Sequence, residues 1–163
     1  MSGDAGMTRT DPDPTHPAPT DPDPTDRPEP DAFTRPYWEA AAQGRLLLRR
    51  CGACGRAHHY PREFCPHCWS EDVVWEQASG EAVLYTWSVV YANDLPPFRD
   101  RLPYAAAVVD LAEGPRMMTT VVGCDPLTLC VGMRLHVSLP TASPECGDGE
   151  QPVAAPVFRP VGH

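Results

Sequence analysis

The sequence predicts a mainly β protein with a short N-terminal helical segment, a small cysteine-framed ribbon and a five-stranded barrel. Three observations carry this. Two Cys-x-x-Cys pairs, Cys51/Cys54 and Cys65/Cys68, stand ten residues apart. A helical spacing of apolar residues precedes them. Beyond Gly80, five segments within roughly eighty residues place apolar side chains at every second position, the period of a β-strand.

Residues 1–32 are expected to form a disordered, acidic, Pro-rich head. Eight acidic side chains face only Arg9 and Arg27, a net charge of −6, and Asp-Pro pairs repeat at 11–14 and 21–24. Such a segment cannot bury enough apolar area to offset the entropy of ordering. Of the whole chain's −9, this leaves −3 for residues 33–163, with no basic run. That balance argues against an electrostatic nucleic-acid binder. No apolar stretch reaches the eighteen or more residues of a membrane span, and the head lacks the apolar core of a secretory signal. A cytoplasmic protein without membrane contact is expected. In that reducing compartment, two tight cysteine pairs with Cys124, Cys130 and Cys146 scattered favour metal ligation over disulfides.

The helical segment is expected at 33–45, with Thr34 as cap, Pro36 in the tolerant first turn and Gly44 as terminator. Phe33 and Trp38 stand at the positions of a hydrophobic staple, and Phe33, Tyr37 and Ala40/Ala41 form a stripe that reads as packing. The ribbon should occupy 46–78, with Leu46–Arg50 a strand entering the first cysteine pair and Val73–Trp75 a strand leaving the second.

Residues 79–161 should form the barrel. Val83, Tyr85, Trp87, Val89 and Tyr91 alternate against Leu84, Thr86, Ser88 and Val90, a strand with two fairly apolar faces. Strands follow at Tyr104–Asp110 and Met117–Val122, separated by the turn Glu113-Gly114-Pro115. Met133, Leu135, Val137 and Leu139 alternate with Arg134, His136 and Ser138, a strand wet on one side. A low-complexity loop at 140–152 leads to a last short strand near Pro156–Arg159. Five strands with a long loop at 93–103 after the first fit a small barrel such as an OB-fold; a sandwich is the alternative by pattern alone.

Each two-residue gap lets both thiolates of a pair converge on one ion, and Gly52, Gly55 and Pro66 suit sharp ligand turns. Cys51, Cys54, Cys65 and Cys68 are therefore the expected ligands of a single Zn2+ ion. Four thiolates leave no open coordination position, so the ion would be a structural staple rather than a catalyst. Iron, as in rubredoxin, is the competing metal. His58, His59 and His67 lie close enough in sequence to replace a thiolate, but the set of four makes that unnecessary. Cys124 and Cys130 read as structural cysteines that pack as small apolar groups. The chain has no Gly-rich phosphate loop, Gly-x-Ser-x-Gly elbow or His-Glu-x-x-His helix, so no catalytic constellation is expected. In loop 93–103, Phe98, Arg99 and Arg101 combine aromatic and guanidinium chemistry suited to a purine and phosphates, with a plain solvated loop as the alternative.

The Tyr37-Trp38 helix, Gly44–Leu48, the four cysteines, Gly80–Val90, Glu113–Arg116, Cys124-Asp125-Pro126 and Gly132–Leu135 together resemble the domain-of-unknown-function-35 family over about residues 33–161. That resemblance implies a rubredoxin-like zinc ribbon joined to an OB-fold, carrying the four thiolates over directly. It also implies a non-catalytic accessory subunit in a hetero-oligomer with a thiolase-fold or aldolase-like enzyme of lipid, steroid side-chain or polyketide metabolism. Such a subunit would help bind acyl-CoA, a coenzyme A thioester. Cys130 stands where the family often has a polar or charged residue. The rival readings are a single-stranded nucleic-acid binder, a role zinc ribbons and OB-folds also serve, and rubredoxin-like electron transfer.

Overall fold

The computed structural model describes residues 30–95, 98–139 and 155–162. The expected disordered head up to residue 29, loop 140–152 and Cys146 lie outside the described residues.

Helix α1 spans Arg35–Ala42. Its cap differs from expectation. Thr34 already has helical backbone and makes no side-chain capping bond. Asp31 takes that part: its carboxylate accepts from the Phe33 N–H at 3.0 Å, the Thr34 N–H at 2.6 Å and the Thr34 hydroxyl at 2.8 Å. A carboxylate accepts several donors at once, which a hydroxyl rarely matches, and these bonds, led by the Thr34 N–H, lower the Asp31 pKa. The staple is also rearranged. The Phe33 ring meets Trp75 at 6.1 Å, and the Arg49 guanidinium lies over both, 5.3 Å and 4.6 Å from their centroids. Trp38 instead packs on Tyr37 and Tyr60 at 4.9 and 6.3 Å. Gly44, in left-handed conformation at φ +77°, closes the helix as expected.

Three antiparallel strands make the ribbon: β1 (Leu47–Cys51), β2 (Ala57–His58) and β3 (Val73–Gln77), in the order β2-β1-β3. Only two residues long, β2 has no period to read and is not legible from the chain alone. Across β1 and β3, Arg50 forms a two-pronged ion pair with Glu76, which raises the arginine pKa and lowers that of the glutamate.

The barrel consists of β4 (Glu81–Val90), β5 (Tyr104–Leu111), β6 (Arg116–Val121), β7 (Arg134–Ser138) and β8 (Val157–Pro160). It closes in the order β4-β5-β6-β8-β7, with β4 also pairing β7 and only β6 and β8 parallel. This closed five-stranded barrel after the ribbon is the OB-fold that the strand pattern suggested, and closure excludes the sandwich. The apparent double-faced character of β4 has a local cause. Ala82 and Leu84 face the core, the register shifts at Tyr85, and beyond it Trp87 turns inward instead. A bulge adds one residue and so reverses which parity faces inside. On β5 the alternation is unbroken: Ala105, Ala107, Val109 and Leu111 are buried and their neighbours are not.

One cluster joins both modules. Tyr37, Leu46 and Leu48 belong to the same buried core as Leu84, Val109, Leu135 and Phe158. Between them, Ala78 donates to the Leu46 carbonyl at 2.9 Å, and Gly80 accepts from the Val137 N–H at 2.8 Å. Gly80 sits at φ +82°, and a Cβ there would lie 2.6 Å from Val137 Cγ1, so this hinge between ribbon and barrel requires glycine.

Helix α1 is secured on the ribbon through Tyr37, whose hydroxyl lies 3.2 Å from His59 Nε2. Burial, with the nearby His58 adding to it, depresses the His59 pKa to about 4. The folded pKa lies below the unfolded value of about 6.5, so the unfolded chain takes the proton first. The stability this imidazole confers is fully present above about pH 6.5 and drains away as pH falls toward about 4. NMR titration of the imidazole signals should give a midpoint near 4 for His59. A midpoint near that of free histidine would show that the ring is hydrated rather than buried.

Candidate metal centre and loop cleft

Both cysteine pairs sit on turns that begin with a buried cysteine and end with an exposed one. In the first, Cys51 ends β1, and the Cys54 N–H points at the Cys51 sulfur at 3.4 Å. In the second, the His67 N–H points at the Cys65 sulfur, also at 3.4 Å. The turns match further: the Gly55 N–H donates to the Cys51 carbonyl and the Trp69 N–H to the Cys65 carbonyl, both at 2.9 Å. Each turn ends in left-handed backbone, at φ +72° for Gly55 and +63° for Trp69. That conformation costs a residue with a Cβ about 1–2 kcal/mol, and tryptophan stands where glycine would be unstrained.

The four sulfurs converge within 4.8 Å of one another, with Cys51 and Cys68 at 3.6 Å and Cys54 and Cys65 at 3.7 Å. Around a tetrahedral ion with bonds of about 2.3 Å, sulfurs lie about 3.8 Å apart, so the spacing fits such an ion. The electrostatics fit as well. The Cys54 N–H, aided by Cys68, lowers the Cys51 pKa to about 7. The Ser70 N–H would lower that of Cys68 too, but desolvation and the other three sulfurs outweigh it and push Cys68 up to about 12. Four sulfurs this close cannot all carry charge without a cation between them. His58, buried on β2, and His59, bonded to Tyr37, lie outside this donor group, as does His67.

The second candidate region is the loop between β4 and β5. Arg99–Arg101 form a single 3-10 turn. Phe98 rests 6.0 Å from the Tyr104 ring, and Tyr104 accepts a 3.0 Å hydrogen bond from the Asn93 side chain. A cleft of about 320 Å³ opens here, lined by Phe98, Arg101, Tyr104, Val122, Cys124 and Val157 among others. The structure thus brings Phe98 and Arg101 to one cleft, whereas Arg99 lies outside its lining and faces Asp100 at 3.8 Å in solvent. Cys124 is the wall residue that sequence reasoning passed over; it is half-buried, and burial raises its thiol pKa. Nothing in its local sequence marks it, because the pairing of β5 with β6, Ala105 opposite Val121, brings it to the cleft that Phe98 lines. Cys130 is exposed rather than packed.

Comparison with known proteins gives these sites a context. The rubredoxin-like zinc ribbon domain of ChsH2 matches residues 38–74, and the C-terminal OB-fold domain of ChsH2 matches residues 75–139. A DUF35 domain-containing scaffold protein from Methanocaldococcus jannaschii is 32% identical over 105 residues, which cover 64% of this chain and 74% of that protein. The chain belongs to the DUF35 family. Within the family it is similar to a chain of the Ltp2-ChsH2(DUF35) aldolase structure, with 36% identity and a TM-score of 0.67 over 82% of this chain and 98% of that one. It also matches a protein named probable enoyl-CoA hydratase alpha subunit in Thermomonospora curvata, 38% identical over 125 residues. That match covers 77% of this DUF35 chain but 36% of the hydratase subunit, so the chain spans about a third of that relative's length. Relatives of this DUF35 protein are thus named as scaffolds or as parts of hydratase and aldolase enzymes. Among the described residues, no helix is long and apolar enough to cross a membrane.

Proposed function

We propose that this DUF35 protein is a non-catalytic accessory subunit that binds an aldolase-like or thiolase-like enzyme and helps it hold an acyl-CoA substrate. The observation that carries this reading is the match to a chain of the Ltp2-ChsH2(DUF35) aldolase, which is covered over 98% of its length at 36% identity. That chain of the aldolase is therefore built on a fold of this kind over nearly its whole length.

In this reading Cys51, Cys54, Cys65 and Cys68 hold one structural Zn2+ ion. The ion supplies folding free energy by neutralising and clamping four thiolates, and the closed donor set leaves chemistry to the partner. The Cys54 and His67 N–H groups aimed at the sulfurs stabilise the anionic form. Elemental analysis should find one zinc per chain, whereas iron with a visible thiolate charge-transfer band would overturn that assignment. In Cys54→Ser the zinc should be lost and the ribbon should unfold, seen as collapse of its amide dispersion. Full zinc content and an unchanged fold in that variant would refute the structural role.

The loop cleft supplies the ligand chemistry. Phe98 offers a ring face to a purine, Arg101 a guanidinium to phosphates, and Arg99 a more distant positive charge. The outer face of β4-β5-β6 speaks against the nucleic-acid reading. Its paired rows Thr86-Val108-Met118 and Ser88-Ala106-Thr120 contain no charged side chain. The cation of the neighbouring row, Arg116, is already paired with Asp110 and lies over the Tyr85 ring, so a nucleic-acid strand crossing the usual OB-fold ligand face would find little free positive charge.

Affinity purification of the full-length chain from native lysate, followed by mass spectrometry and activity assay, tests the partnership. A CoA-using enzyme of the aldolase or thiolase type should co-purify in defined stoichiometry; recovery of none, across growth substrates, would sink the proposal. In the purified complex, Phe98→Ala with Arg101→Ala should weaken acyl-CoA binding about tenfold, near 1.4 kcal/mol, without changing the melting temperature. Unchanged affinity would remove the loop from the ligand site.

A further inference from the structure

We propose that the ribbon carries a phosphate-binding site of its own, built on His58 with Arg49 on the neighbouring strand and Arg62 and His67 on the turns beside it. The site is separate from the loop cleft between β4 and β5, and it does not depend on the accessory-subunit reading.

Between Cys51 and Cys68 the sequence holds Arg56, Arg62 and three histidines against a single acid, Glu63, in a chain whose net charge is −9. Folding gathers part of this charge. His58 stands opposite Arg49 in the pairing of β1 with β2, and residues opposite one another share a face of the sheet. Burial lowers the His58 pKa, and the charges of Arg49, His67 and Arg62 lower it further, so all three act on the ring. Among the described residues, none of the four has a carboxylate within ion-pair distance.

The buried members of this group also lack hydrogen-bond partners. His58 is 4% exposed and neither of its ring nitrogens is bonded; Arg49 is 8% exposed and its Nε is unbonded. The Arg62 backbone opposes the lowering of the His58 pKa, but without a hydrogen bond of ordinary geometry. Native proteins pair their buried polar groups in the great majority of cases, and buried charges above all. The Phe33 and Trp75 rings, 5.3 and 4.6 Å from the Arg49 guanidinium, offset part of its desolvation but accept no ordinary hydrogen bond. The sulfur centre draws these cations from a distance, yet the backbone donors aimed at its sulfurs come from Cys54 and His67.

His58 and His67 also line a cleft of about 750 Å³ between ribbon and barrel, and Arg56 adds a further cation to the ribbon wall. On the barrel wall, Asp110 is paired with Arg116, and one oxygen of Glu113 accepts from the Ser79 N–H at 2.7 Å. An anion entering this cleft is directed to the ribbon. There, two guanidinium groups and two imidazoles approach from four segments of chain. A phosphate group, with three acceptor oxygens and about two negative charges, meets such a set more fully than a planar carboxylate.

The test uses the full-length, metal-loaded chain at constant ionic strength, with inorganic phosphate and pyrophosphate as probes and acetate as control. Calorimetry should show saturable pyrophosphate binding at least tenfold tighter than that of acetate, and the His58 ring signals should shift in NMR spectra. In the double variant Arg62→Gln with His67→Gln, both exposed positions, that affinity should fall at least tenfold while metal content and melting temperature are retained. Arg49→Met should abolish binding; if it does not fold, the exposed double variant carries the measurement. Free diphosphates and the phosphates of a CoA thioester share this chemistry. CoA binding that survives Phe98→Ala with Arg101→Ala but falls in the ribbon double variant would give the site to the nucleotide, and loss of pyrophosphate binding alone would give it to a free phosphate compound. Absence of saturable binding, equal affinity for acetate, or an affinity unchanged in the double variant would overturn the site and leave these basic groups as counter-charges of the sulfur centre. Failure to recover an enzyme partner would leave the result untouched.

Discussion

Convergence of four sulfurs within 4.8 Å is the constraint on which the rest of the molecule depends. Cys51 is the last residue of β1, and Leu46 and Leu48, just before it, are buried in the common core. Whatever fixes the sulfur cluster therefore also fixes the start of β1, and with it the face on which α1 and the barrel pack. A ribbon built from strands of five, two and five residues has little core of its own. Its stability is borrowed from the sulfur centre at one end and from Leu84, Val109, Leu135 and Phe158 at the other. The hinge at Gly80 shows how close that join is, with no room for even a methyl group beside Val137.

How far the sequence could be read depended on the range of the interaction involved. Ligand spacing and strand period are local, so the four cysteines and the alternation on β5 were legible from the chain alone. Features set by a partner far away in sequence were not. Arg49 looks like an exposed strand residue, yet it is 8% exposed, its guanidinium lying against the neighbouring rings of Phe33 and Trp75. The bulge at Tyr85 reverses the facing of β4 midway, so its pattern reads as two apolar faces when it is one face interrupted. Asp31 displaced Thr34 as the cap because an acid three residues upstream reaches more donors than the expected hydroxyl. The loop cleft was half legible: Phe98 and Arg101 carry recognisable chemistry, but Cys124 joins them only because the β5–β6 pairing sets Val121 opposite Ala105.

Among the described residues the barrel interior is packed with apolar side chains: Leu84, Val109 and Phe158 are fully buried and Leu135 is 1% exposed. This packed interior and the sulfur cluster hold rigid the surface groups that the strands and turns carry.

That surface is divided by chemistry. At the loop between β4 and β5, the Phe98 ring and the Arg101 guanidinium border a cleft of about 320 Å³, the region to which the proposed function assigns the ligand. At the second cysteine turn the exposed Trp69 stacks on the half-buried Phe64, on a segment that carries two of the four sulfurs. Between these ends run the uncharged outer rows of β4, β5 and β6, bounded at the far edge by the Arg116–Asp110 pair, with the arginine also over the Tyr85 ring at 3.5 Å. A surface that is polar where a ligand would sit and uncharged across its breadth can lie against an enzyme without burying unpaired charge. The same surface would hold an anionic strand poorly. Within the proposed accessory role, those two rows therefore suit contact with a protein better than contact with a nucleic acid.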